Sequence, residues 1–244
     1  MRIEFQPAYV LHARPYRDTS LLLDLLTPDY GRLGAVAKGV RRGKSQRRPL
    51  LNPFQPLLVS LSGNSALKTL TAVEAEVEVN SAGHRLQGVA LYSGFYVNEL
   101  LVRLLGENDP EPALFDGYRW TLTTLASLEP GQSPEPLLRQ FEWRLLDTLG
   151  YGVSFTEEAE TGAAIRADAL YRFDPEAGFV PTYSSRPPQG TPSLFQGRDL
   201  LKCAETDFSN PDVLAVAKRL NRQMLQPLLG SRPLKSREFF RPGG

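Results

Sequence analysis

The sequence predicts an α+β multidomain protein: a small β-barrel at the N-terminus, then an α-helical domain that carries a short hairpin-bearing insert. Three observations predict it. Residues 1 to about 80 are short apolar runs separated by turn signals, the hydrophobic period then lengthens, and residues 151–192 are rich in Gly and Pro.

The first region reads as five strands. "AYVLHARPY", "TSLLLDLLT", "GRLGAVAKG", "QPLLVSLSG" and "ALKTLTAVEAEVEV" are broken by "TPDYG" between the second and third and by "SGNS" between the last two. Five short strands in about 80 residues suggest a small barrel, for which the OB-fold is the common solution. Taken alone, "TSLLLDLLT" also fits a helix.

From Ser81 the period rises to about 3.6. "HRLQGVALYSGFYVNELLVRLLG" places Leu86, Val89, Phe95, Leu100 and Leu104 near one face, and "EPALFDGYRWTLTTLASL" continues the pattern. "SPEPLLRQFEWRLLDTLGYG" is the best-punctuated helix: Ser133 caps it, Pro134 fits its first turn, Leu138, Phe141, Leu145 and Leu149 stripe one face, and Gly150 ends it. Residues 81–150 are therefore the first part of a helical domain, and 151–192 an insert whose hairpin is "ALYRFDPEAGFV". Helical pattern resumes over 193–244 with "SLFQGRDLLKCAE" and "NPDVLAVAKRLNRQMLQPLLG", the latter with Asn210 and Pro211 as cap and first position. The last patterned piece, "SRPLKSREFF", is basic with paired aromatics.

The 244 residues carry a net charge of +1, which hides an uneven distribution. Residues 1–80 hold 11 Lys/Arg against 7 Asp/Glu, 81–150 hold 5 against 9, 151–230 hold 8 against 10, and 231–244 hold 4 against 1. A polyanion is drawn to the two ends of the chain and not to its middle. No apolar run reaches the length of a membrane span, and the N-terminus "MRIEFQPAYV" lacks a signal-peptide pattern, so the expected location is cytoplasmic, with no membrane partner. Cys203, the single cysteine, forms no internal disulfide, and one thiol with two histidines is too few for a cysteine-rich zinc site.

One stretch concentrates the candidate chemistry. "KGVRRGKSQRR", Lys38 to Arg48, contains the Gly-Lys-Ser ending of a phosphate-binding P-loop. Only three residues separate Gly39 from Gly43-Lys44-Ser45 where four are needed, and Pro49 and Pro53 oppose the helix that should follow. What remains is a cluster of Lys38, Arg41, Arg42, Lys44, Arg47 and Arg48 with no acidic residue among them. It is either a solvated charged loop or an anion site, and such density repels itself unless an anion is present. Beside strands bearing Tyr9, Tyr16, Tyr30 and Phe54 it has both parts of a single-strand site, charge for phosphates and rings for bases, although each ring taken separately fits a core position better.

Other candidates are weaker. His12 and His84 sit in no catalytic motif, Glu157, Glu158 and Glu160 read as a solvated turn, and Cys203 lies inside an apolar pattern and is expected to be buried and inert. Neither an enzyme nor a cofactor or metal is indicated. In "NELL", Asn98 to Leu101, a polar pair flanked by Tyr92, Phe95 and Tyr96 marks either packing between helices or a groove for a partner peptide.

Five stretches in this order resemble the RecO family of bacterial recombination mediators. They are Leu26-Thr27-Pro28-Asp29-Tyr30-Gly31-Arg32-Leu33, Ala37-Lys38-Gly39-Val40-Arg41 with Lys44-Ser45, Tyr96 to Leu105, Phe141 to Tyr151, and Pro233 to Arg237. The resemblance implies an OB-fold before a helical domain, and a protein that binds single- and double-stranded DNA and anneals complementary strands. With RecR and the single-stranded-DNA-binding protein as partners, it would load RecA. By position, the basic loop would face DNA, with Lys235 and Arg237 adding to the basic surface. Many members carry two Cys pairs after "LGY" as a zinc ribbon. Here Glu158 and Thr161 stand at the first pair and roughly Pro181 and Ser184 at the second, so the insert is expected to be zinc-ribbon-like, lacking cysteines and metal.

The functional expectation is a non-enzymatic recombination and repair mediator. Its acidic helical domain would face proteins, and Lys218, Arg219 and Arg222 are the candidate contacts for a partner's acidic tail. The rival is a scaffold protein whose basic loop binds an acidic protein surface, and a nucleotide hydrolase using residues 39–45 comes third.

Overall fold

The computed structural model describes residues 2–42, 45–76, 85–183, 194–206, 208 and 210–240. Its first strand, β1 (Arg2–Tyr16), is long enough to serve two neighbours. The first half pairs antiparallel with β4 (Leu57–Ser62) and the second half with β2 (Ser20–Thr27), with register shifts between Ile3 and Gln6 and between Val10 and His12. Such shifts bend a strand and raise its twist, as a tight barrel requires. β2 continues into β3 (Gly31–Ala37), and β3 meets β5 (Lys68–Ala75) in parallel at Ala35↔Lys68 and Val36↔Thr69. The result is a closed barrel of order β1-β2-β3-β5-β4, the five-stranded OB-type arrangement.

Alternation decides "TSLLLDLLT". Leu21, Leu23 and Leu25 point into the barrel with Leu57, Val59 and Leu61, and the period of two makes the segment a strand and not a helix. The β2–β3 turn depends on Gly31. Its φ is +64°, and a Cβ there would stand 1.9 Å from the carbonyl oxygen of Asp109, so a larger residue would both strain the backbone and displace the chain opposite. That chain is pinned by the Asn108 amide, which donates to the Arg32 carbonyl at 2.9 Å.

Two helices belong to the same compact unit as the barrel, together with the C-terminal segment: Met1–Pro134 with Pro233–Gly244. These are α1 (Gly88–Leu104) and α2 (Pro112–Ala126). The Asn98 side-chain amide donates to the Leu11 carbonyl of β1 at 2.8 Å, and the Tyr118 hydroxyl of α2 donates to Asn98 Oδ1 at 2.6 Å. Tyr9 lies against Phe115 and Tyr118 with ring centroids 5.6 and 5.1 Å away. Being covered on two sides, α1 buries Ser93, Gly94, Tyr96, Val97, Asn98, Leu100 and Leu101, and leaves Val89 52% exposed. The single stripe expected through Val89 and Leu104 is corrected accordingly, because a helix with two neighbours needs a wider buried face than one stripe supplies.

Glu135–Arg232 form the second unit. It contains α3 (Glu135–Thr148), a three-stranded sheet of order β7-β6-β8, α4 (Gly197–Ala204) and α5 (Pro211–Leu229). α3 ends as its sequence predicts: Gly150 adopts φ +81°, and the Tyr151 amide reaches back to the Leu146 carbonyl at 2.8 Å. At the start of α5, Asn210 Oδ1 accepts the Asp212 amide at 2.9 Å with Pro211 in the first turn. The expected hairpin is β6 (Leu170–Asp174) with β7 (Gly178–Thr182), and β8 (Leu194–Gln196) adds to the other edge of β6. Between α3 and α5 lies a buried polar network. Arg139 pairs with Glu142 at 2.8 Å, Asn221 donates to the other Glu142 oxygen at 2.7 Å, and the Trp143 indole donates to Asn221.

Candidate nucleic-acid interface

The basic loop starts where β3 leaves the barrel wall. Gly39 takes φ +72°, which turns the chain back so that Val40 drops into the barrel core at 2% exposure. Arg41 is then held twice by the β1–β2 turn: its amide donates to the Thr19 carbonyl at 2.9 Å, and its guanidinium to the Arg17 carbonyl at 3.2 Å. After Ser45 the chain enters a single 3-10 turn, Arg48–Leu50, with Pro49 inside it. No helix follows that could stand behind a nucleotide's phosphates, in keeping with the defective P-loop spacing.

Lys38, Arg41, Arg42, Arg47 and Arg48 are all exposed, and among the described residues none of the five forms an ion pair. Lys44 lies outside the described residues. An open depression of about 560 Å³ runs along the loop, lined by Lys38, Gly39, Val40, Arg42, Ser45, Gln46 and Arg47. Two anchored points, Val40 and Arg41, thus present a concave surface whose charge is not neutralised locally. An anionic chain passing there finds several cations already spaced along its path.

The rings expected to stack bases fall into two groups. Tyr9 at 1% and Phe54 at 4% exposure are core residues, as their apolar surroundings require, and neither can receive a base. Tyr30 is half-buried against the barrel core. Tyr16 is half-buried at the same end of the barrel as the loop, with the Arg17 guanidinium 5.3 Å from its ring centroid. Arg17, unlike Tyr16, was not among the site residues the sequence suggested. They reach the site through the β1–β2 hairpin, and the available signal was a basic residue beside an aromatic at a turn, "PYRDTS".

The C-terminal candidates are held differently. Lys235 and Arg237 are exposed on a 3-10 segment, Lys235–Phe240. The carboxylate of Glu99 on α1 secures that segment, accepting the Lys235 amide at 2.9 Å, the Ser236 amide at 2.8 Å and the Ser236 hydroxyl at 2.6 Å. Burial pushes the Glu99 carboxyl up, but these three donors, with Arg103 nearby, outweigh it and hold the group below the usual carboxylate range. Both polar residues of "NELL" are therefore structural, Asn98 toward β1 and Glu99 toward the tail.

On α5 two of the three candidate cations are already engaged. Lys218 pairs with Glu135 at 2.7 Å, and Arg219 lies 4.5 Å over the Phe195 ring while donating to the Leu194 carbonyl at 3.0 Å. Partial burial lowers the Arg219 pKa. Arg222 is exposed. A depression of about 550 Å³ in the same unit is lined by Trp143, Arg144, Leu146, Asp147, Gly152, Val153, Phe155 and Met224, where one acid offsets one base.

Metal ligands do not come together among the described residues. No three His, Cys, Asp or Glu side chains come together in a way that could hold a metal ion. The donor set of the insert does not fit a zinc ribbon: the Thr161 hydroxyl donates to Glu158 at 2.7 Å, Glu158 also accepts from the buried Tyr171 hydroxyl at 3.3 Å, and Pro181 has no side-chain ligand. Ser184 and His84 lie outside the described residues. His12 is exposed 3.9 Å from Asp24. Cys203 is fully buried, and burial pushes its thiol up to about 12, far from a reactive thiolate. No helix among the described residues is long and apolar enough to cross a membrane.

Comparison with known proteins gives the chain relatives along its whole length. The family model "Recombination protein O N terminal" matches residues 1–77, and "Recombination protein O C terminal" matches residues 85–238. The chain is 51% identical over 244 residues to a DNA repair protein RecO of Cellvibrio japonicus, covering 100% of this chain and 99% of that one. It is 50% identical to a protein of the same name from Stutzerimonas stutzeri, over 96% of this chain and 92% of the relative. A third, from Haemophilus influenzae, is 46% identical over 98% and 97% of the two chains.

Proposed function

The chain belongs to the RecO family, and on that premise we propose that it is a DNA-binding recombination mediator in DNA repair, with no catalytic step of its own. It binds single- and double-stranded DNA, anneals complementary strands and, with RecR and the single-stranded-DNA-binding protein, loads RecA. The observation that carries the reading is the anchored basic loop, with five exposed cations and no ion pair among the described residues around an open depression. Phosphates entering it release condensed counterions, which supplies affinity without sequence preference. Two strands neutralised on one surface repel each other less and can pair. The terminal Lys235 and Arg237 extend the same sign of charge.

The helical unit is the protein-facing part of this reading. Residues 135–232 hold 11 basic against 13 acidic residues, which disfavours DNA. An acidic partner tail there would meet Arg222 first, with Lys218 and Arg219 recruited from their present partners. Neutralising all three should abolish the affinity for such a tail peptide, and unchanged affinity would contradict the assignment.

Fluorescence anisotropy of a labelled single-stranded oligonucleotide across a salt series tests the DNA reading. Binding should tolerate many sequences, and log affinity should fall with log salt at roughly −0.7 per phosphate neutralised. A mixing assay with two complementary strands should show faster annealing with the protein than without it. Absence of DNA binding, together with stoichiometric, surface-specific association with an acidic protein, would favour the scaffold reading instead.

A further inference from the structure

The C-terminal segment carries more than charge. Phe239 and Phe240 are 49% and 44% exposed, an unusual state for two consecutive phenyl rings. Phe239 is stacked on Tyr92 of α1, with centroids 5.3 Å apart and planes 18° apart, and Phe240 meets the same Tyr92 ring edge-on at 6.0 Å. Glu99 fixes the backbone beneath them, so the rings are held before any ligand arrives.

A ladder of rings leads from the cluster to the buried Phe54, which lies in the connection that follows the basic loop. Phe239 lies 6.1 Å from Phe95, and Phe95 lies 5.1 Å from Phe54 in a T-shaped contact. That connection passes through Arg48–Leu50 and continues past Phe54 to β4. Gly94 permits that approach, since a Cβ there would stand 2.9 Å from Phe54 Cε1. Exposed Lys235 and Arg237 precede the rings on the same 3-10 segment, with exposed Glu238 between Arg237 and Phe239, so basic charge there exceeds acidic.

Resting on the DNA reading above, we infer that Tyr92, Phe239 and Phe240 form a stacking platform for the bases of single-stranded DNA, while Lys235 and Arg237 meet its phosphates. Charge complementarity selects a polyanion over an apolar peptide. Exposed rings select one whose bases are unpaired, because a duplex offers no free base face along its length.

Full-length protein is tested by anisotropy with oligo(dT) and with an abasic phosphodeoxyribose oligomer of the same length. Native protein should prefer oligo(dT). Phe239→Ala with Phe240→Ala should weaken oligo(dT) binding by roughly five-fold or more for each base left unstacked, with abasic affinity and salt slope unchanged. Phe239→Leu with Phe240→Leu keeps the apolar contact to Tyr92, and so the seat of the tail, and should show the same selective loss, whereas Phe240→Trp should retain binding. Equal native affinity for the two polymers, or oligo(dT) affinity unchanged in the Leu variant, overturns the platform while the DNA reading stands. A change in self-association with DNA affinity unchanged overturns it as well and makes the rings a protein surface. If native protein binds neither polymer, the DNA reading itself falls.

Discussion

The basic loop after β3 and the basic run on α5 contain similar side chains in two different electrostatic states. In the loop, Lys38, Arg41, Arg42, Arg47 and Arg48 are exposed without an ion pair among the described residues. On α5, Lys218 is paired to Glu135, and Arg219 is spent on the Phe195 ring and the Leu194 carbonyl. Charge density along a sequence therefore does not measure charge available to a ligand. Availability depends on whether the fold brings a carboxylate, carbonyl or ring to each cation: Lys218 and Arg219 have such partners, whereas among the described residues Lys38, Arg42, Arg47 and Arg48 form no ion pair and Arg41 is held by a backbone carbonyl alone.

The largest expected effect tests the engaged side of this contrast. Glu142→Ala would leave Arg139 buried without its partner, and should destabilise the protein by about 3–5 kcal/mol in chemical denaturation. Lys218→Ala, at a pair whose lysine is largely solvent-exposed, should shift stability by only about 0.5 kcal/mol or less. Equal effects would erase the distinction between engaged and surface charge on this unit. Next comes the anchor of the loop. Val40→Ala removes two buried methyl groups and should cost about 2 kcal/mol, with weakened DNA binding as the loop loses its seat.

A smaller effect concerns the tail. Because Glu99 is held below its unfolded value, its contribution is complete above the ordinary carboxylate range and is lost as pH falls through the depressed folded value. Acid, and not base, should free the tail. Hydrogen exchange at the Lys235 and Ser236 amides, corrected for intrinsic rate, should speed up as pH drops from about 6 to about 3, and should already be fast in Glu99→Gln. Protection unaffected by the substitution would remove Glu99 from this role. The smallest effect is at Cys203. With its thiol pushed up to about 12, it should resist a thiol reagent at neutral pH until the protein unfolds.

Much of the fold was legible because its signals are local. Alternation in "PLLVSLSG" marks β4, Asn210-Pro211 opens α5 and Gly150 closes α3, each through an interaction within a few residues. The loop was legible as six cations without an acid. What stayed hidden depends on distant partners. Arg17 joins the loop through a bond to a residue 24 positions away, Glu99 fastens a segment 137 positions away, and Val89 is exposed because α1 turns a different face to the barrel and to α2. Tyr9 and Phe54 are buried by helices far along the chain, Tyr9 against Phe115 and Tyr118 of α2 and Phe54 against Phe95 of α1.

The most direct measurement compares salt slopes of single-strand binding for the native protein, a Lys38→Ala/Arg42→Ala/Arg47→Ala variant and a Lys218→Ala/Arg222→Ala variant. These choices leave the Arg41 bonds to the β1–β2 turn intact. The loop variant should bind more weakly, with a slope flatter by about two units, while the α5 variant keeps the native slope. An unchanged slope in the loop variant, or an equal flattening in the α5 variant, would contradict the account.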